Sequence, residues 1–225
     1  MQMIDIFLDP AKVWTQLKER PTFLMPALLV ATATMLAAML YFFHVDPVWF
    51  ADYQIQAMGT EMSASEVAQV QAFMPGARTL AWIAAATTLL TFAIIYALVA
   101  LYYLLAGKVG GHAVTFRHGL ALTAWSSMPM LVVAVVSIIG TYTSSPQTSY
   151  ESLQMLSVDP LLVQLPMDHD WSTLAKSFSL INLWTSFLAA LGWKTWFRTS
   201  WGQAIFVVLL PLVLIFGGMA LFAAL

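Results

Sequence analysis

Five uncharged apolar stretches dominate this chain and leave it few folds to choose from. They cover 22–43, 80–105, 119–141, 174–193 and 203–225, and the only charged side chain inside any of them is Lys176, near an end. At 1.5 Å per residue, about 20 helical residues cross a hydrocarbon layer roughly 30 Å thick. In lipid every backbone polar group must be satisfied internally, so each stretch has to be helical. The predicted fold is all-α: a polytopic membrane bundle of five transmembrane helices, with short interfacial helices in the N-terminal segment and the outer loops. Composition supports this. Charged residues make up 9% of the chain and hydrophobic ones 60%, whereas an average soluble domain has about 25% charged residues.

The connections carry an uneven charge. Lys12, Lys18 and Arg20 precede the first stretch, Lys108 and Arg117 lie between the second and third, and Lys194 and Arg198 between the fourth and fifth. The remaining connections hold Arg78, with Lys176 at their edge. Cytoplasmic loops are enriched in Lys and Arg. The N-terminus is therefore expected in the cytoplasm and the C-terminus outside, in a plasma (inner) membrane. No cleavable signal is expected, because the first apolar run is too long for a signal core. The chain reads as one domain, 1–225, with 1–21 as a cytoplasmic lead-in.

Within that lead-in, Asp9 suits an N-cap and Pro10 the first helical position. Val13, Trp14 and Leu17 share one face, as in a helix lying on the membrane surface. That face suits a membrane sensor or a partner-docking element, or simply orients the first span. In the first outer connection, Ser63-Ala-Ser-Glu66 has the spacing of a capping box and Pro75-Gly76 marks a stop.

Functional chemistry is sparse. The net charge of -2 and the lack of a basic run leave nothing to attract nucleic acid. Without cysteine there is no disulfide framework, thiolate nucleophile or zinc-thiolate site. No charge falls at the membrane centre, where ion-coupled mechanisms usually keep one. Pro129 and Pro211 lie within spans and each removes a backbone donor. A kink at Pro129 beside Ser126 and Ser127 would open a cavity or set packing geometry. Asn182, beside Trp184, is the costliest polar group to bury and is expected to face another helix. Ser126, Ser127, Pro129, Asn182 and Trp184 are thus the structural or cavity candidates. Alanines at four-residue spacing (Ala27/Ala31, Ala33/Ala37, Ala93/Ala97) allow close helix approach. His112 and His118 read as interfacial. Asp168-His169-Asp170 resembles a ligand cluster, but consecutive residues rarely converge on one ion, and Asp170 fits a helix cap. No catalytic residue, metal or cofactor is expected.

Three segments resemble the bacterial branch of the Yip1 family. They are Pro10-Ala-Lys-Val-Trp-Thr-Gln-Leu-Lys-Glu-Arg-Pro21, Lys108-Val-Gly-Gly-His-Ala-Val-Thr-Phe-Arg-His-Gly119 running on to Ser126-Ser-Met-Pro129, and Leu180-Ile-Asn-Leu-Trp184 through Leu191-Gly-Trp-Lys194 and Ala204, which resembles the family's fourth and fifth spans. The resemblance implies five spans with a cytosolic N-terminus. It implies no catalytic residues; eukaryotic relatives are linked to vesicle traffic and small GTPases. The expected function is non-enzymatic, as a membrane-organising or adaptor protein whose partners are the lipid bilayer and other membrane proteins. The alternative is a small permease, channel or lipid-handling protein with a cavity near the kinked third and fifth spans.

Overall fold

The computed structural model describes residues 2–58, 62–165 and 169–224. Their regular elements are helices, with one isolated bridge between Ser157 and Ser179. In chain order they are α1 (Gln2–Leu8), α2 (Pro10–Glu19), α3 (Leu24–His44), α4 (Pro47–Ala57), α5 (Ala64–Phe73), α6 (Ala77–Val109), α7 (Phe116–Ser126), α8 (Met130–Thr143), α9 (Ser172–Ser177), α10 (Leu180–Phe197) and α11 (Trp201–Ala223). The expected capping box is present at Ser63 and Glu66, and α5 ends before Pro75-Gly76. Asp9 caps α2, accepting the Lys12 N–H.

Four segments are long and apolar enough to cross a membrane: α3, α6, the paired α7–α8, and α11. The fourth apolar stretch departs from expectation, because 174–193 is not one helix. The chain turns extended at Phe178 and Ser179, where Val158 N–H donates to Phe178 O, and Leu180 N–H and the Ser179 hydroxyl both donate to Leu156 O. The loop between α8 and α9 thus supplies the bonds that a continuous helix would otherwise make. α10 starts only at Leu180 and its 18 residues, about 27 Å long, include Asn182 and Lys194. Lys176 consequently lies outside any span, on α9.

α3 packs against α6 and α8, and α6 against α7. Small residues bring the helices together, but not all those expected. Ala31 and Ala37 are buried, whereas Ala93 and Ala97 face outward; the buried face of α6 carries Ala77, Ala81 and Ala85 instead. At Gly119 a Cβ would collide with the Ala100 carbonyl, so α7 crosses α6 at backbone contact.

The two prolines act differently. Pro129 sits in a tight turn between α7 and α8, where Met128 N–H bonds Trp125 O and Met130 N–H bonds Ser127 O. Pro211 lies inside an unbroken α11. Its missing N–H would have bonded the carbonyl four residues back, Val207. The Tyr102 hydroxyl of α6 donates to that carbonyl at 2.5 Å.

Candidate functional site

The basic segments gather at one end of the bundle, around the N-terminus. α1 and α2 form a helical hairpin, tied by Gln2 Nε2 donating to Gln16 Oε1 at 2.8 Å. The apolar face of α2 does not lie on lipid. Val13, Trp14 and Leu17 are at most 1% exposed, and α2 packs along α10. A hydrophobic stripe of this kind buries itself wherever a partner is available, and here the partner is the chain's own fourth apolar segment.

The joint rests on named contacts. Trp196 stands edge-on to Trp14, ring centroids 5.6 Å apart, and its indole N–H donates to Trp14 O at 2.6 Å. Gly192 lets α10 approach: a Cβ there would lie 2.6 Å from Leu122 Cδ1 and 2.9 Å from the Trp14 ring. The last carbonyls of a helix have no partner within it. For α2 and the linker after it, α7 supplies three donors. His118 Nε2 lies 3.2 Å from Lys18 O, Arg117 Nε donates to Pro21 O at 2.9 Å, and Trp125 Nε1 donates to Thr22 O at 2.8 Å. Because a carbonyl only accepts, His118 carries its proton on Nε2, leaving Nδ1 to accept the Thr115 hydroxyl at 2.7 Å. His112 stacks on Phe197 at 4.5 Å. The two histidines are therefore joints between segments.

The candidates from sequence fall in separate places. Ser126 and Ser127 are buried and bond their own helix, to Leu122 O and Ala124 O, while Tyr96 OH meets Ser127 Oγ. Pro129 is buried in the turn beside them. Asn182 is half-buried in the first turn of α10, and its side-chain amide bonds no described residue. Trp184 is 38% exposed and meets Phe7 of α1 edge-on at 5.5 Å. Of these five, only Trp184 touches the N-terminal hairpin joint. Sequence reasoning passed over Trp196, Trp193, Trp125 and Tyr102. Their signal was available: aromatic side chains with one polar handle, clustered at span ends.

Asp168 lies outside the described residues. Among the described ones, no group of three or more His, Asp or Glu is placed to hold a metal. The expected Asp170 cap is replaced: α9 begins at Ser172, and His169 Nδ1 accepts the Trp171 N–H at 3.2 Å.

At the opposite end, Tyr41 OH donates to Thr148 O and Tyr53 OH to Glu151 Oε2. Burial, reinforced by Glu151, raises the Tyr53 phenol above its ordinary value, so it stays a donor. A cavity of about 370 Å³ opens here, lined by Tyr53, Glu151, Asp159, Gln164 and Lys176.

Long apolar helices, an all-helical fold and basic segments collected at one end define a multi-pass membrane protein. The chain belongs to the Yip1 domain family, whose model matches residues 4–222. No curated protein and no solved structure matches it.

Proposed function

We propose that this protein is a non-enzymatic membrane-organising or adaptor protein of the bacterial Yip1 type, presenting its hairpin-capped basic end to the cytoplasm. In this reading α10 is the fifth membrane-crossing segment, its short apolar length completed by contacts with α2, α7 and α11. The carrying observation is the hairpin joint: the three segments that resemble the family meet at Trp14, His118 and Gly192–Trp196 and build a fixed surface ringed by Lys12, Lys18, Arg20 and Arg117. The serines beside the third-span turn bond their own backbone, which supports packing over conduction there.

Two experiments test this. A reporter fused after Leu225 is expected to be active only on the periplasmic side; robust cytoplasmic activity would exclude an odd number of spans. Crosslinking in native membranes is expected to capture a stoichiometric protein partner that Trp14→Ala releases. Solute flux through purified protein in liposomes, without such a partner, would overturn the adaptor reading.

A further inference from the structure

The end of the bundle opposite the hairpin joint holds a separate cavity. This cavity, about 370 Å³, is shared among α4, the loop between α8 and α9, and α9. Lys176 supplies a positive charge; Glu151 and Asp159 supply two negative ones. Among the described residues Lys176 forms no ion pair or hydrogen bond, although both carboxylates line the same cavity. Asp159 is only 8% exposed, and among the described residues the Leu165 N–H donates to its carboxylate at 2.9 Å. Gln164, held in the left-handed region at φ 54°, closes the same wall. Backbone held in this region is uncommon for a residue other than glycine and collects at ligand sites.

Two further spaces adjoin this cavity. One, about 520 Å³, is of mixed character: it shares Tyr53, Glu151 and Lys176 with it and adds Phe42, Phe50, Gln54 and Met74. The other, about 390 Å³, is an apolar chamber that shares Leu165 and is walled by Val158, Val163, Trp171, Leu174 and Phe178. Phe178 stands edge-on to Phe216 of α11, a helix long and apolar enough to cross a membrane whose side chains are largely exposed. A cavity lined by separated charges and adjoined by an apolar chamber has the shape of an amphiphile.

We propose that this cavity binds a zwitterionic phosphoryl-amine, the headgroup chemistry of phosphatidylethanolamine. Lys176 takes the phosphoryl oxygens. Glu151 and Asp159 accept the primary ammonium, with the Gln164 carbonyl beside them, and an acyl chain enters the apolar chamber walled by Val158, Trp171 and Phe178. The excess of one carboxylate over the single lysine disfavours a net anionic lipid. Acceptors, where an all-aromatic cage would suit a quaternary ammonium, favour an N–H donor over choline.

The test uses full-length protein in nanodiscs containing phosphatidylethanolamine, phosphatidylcholine and phosphatidylglycerol, followed by native mass spectrometry. The expected result is one retained phosphatidylethanolamine, preferred about tenfold over each other lipid, a difference of about 1.4 kcal/mol. Lys176→Met and Glu151→Gln are each expected to erase that preference while the protein keeps its melting temperature. Millimolar glycerophosphoethanolamine supplies the second arm: displacement assigns recognition to the headgroup alone, and retention assigns it to the intact lipid. Equal retention of all three lipids by the wild type would overturn the proposal, as would a preference that survives both substitutions.

Discussion

Tyr102→Phe is expected to destabilise the protein by about 1–3 kcal/mol, the cost of leaving a buried polar group without its partner. The substitution removes one oxygen and almost no volume, so packing changes little. What it exposes is the Val207 carbonyl, which Pro211 cannot bond and which the Tyr102 hydroxyl now satisfies. In water such a carbonyl would find a solvent molecule; in a bilayer it has none. The effect should therefore depend on the proline. In the Pro211→Ala background the helix regains its own bond, and Tyr102→Phe should then cost a few tenths of a kcal/mol. Reversible unfolding in bicelles, run as a double-mutant cycle, measures this coupling directly. An equal loss in both backgrounds would show that the hydroxyl acts elsewhere.

Trp14→Ala is expected to have the largest effect of any single substitution, about 3–5 kcal/mol, within the range for truncating a buried aromatic. Trp14 is fully buried between α10 and α7, and its loss empties the space that Gly192 was kept small to admit. The consequence is detachment of the hairpin, seen as rapid proteolysis between residues 1 and 21 in inside-out vesicles. Trp14→Phe serves as the control. The indole N–H of Trp14 has no hydrogen-bond partner among the described residues, so phenylalanine loses area but none of the described hydrogen bonds. It should retain most of the protection. Comparable cleavage of the wild type would mean that the hairpin is not docked in the membrane.

Much of this architecture was legible in the sequence because lipid restricts the options. Long uncharged runs must be helical, and the Asp9-Pro10 and Ser63–Glu66 caps are local signals that need no tertiary knowledge. The failures all involve partners distant in sequence. The break at Phe178-Ser179 depends on bonds from Leu156 and Val158, which no window around 174–193 contains. The period of α2 correctly gave a buried face but not what buries it, since a stripe of Val13, Trp14 and Leu17 suits lipid and protein alike. Ala93 and Ala97 have the right spacing for a helix contact, yet helical periodicity alone does not say which of several small-residue faces is used. The outer cavity escaped notice for a related reason: Tyr53, Glu151, Asp159 and Lys176 are scattered over four stretches of chain and converge only after folding.

The bond between Trp196 and Trp14 joins residues 182 positions apart. A ribosome adding roughly 5–20 residues per second therefore separates their synthesis by on the order of ten to forty seconds. Throughout that interval the first helices emerge with an uncovered apolar face, beside a bilayer able to receive it. The nascent segment is thus expected to meet lipid first and protein second, as the surface-lying helix its periodicity suggests. Its contact with Trp196 is then a late, long-range closure that becomes possible only once α10 has been made. A chain truncated before Trp196 would leave that face uncovered for its whole lifetime.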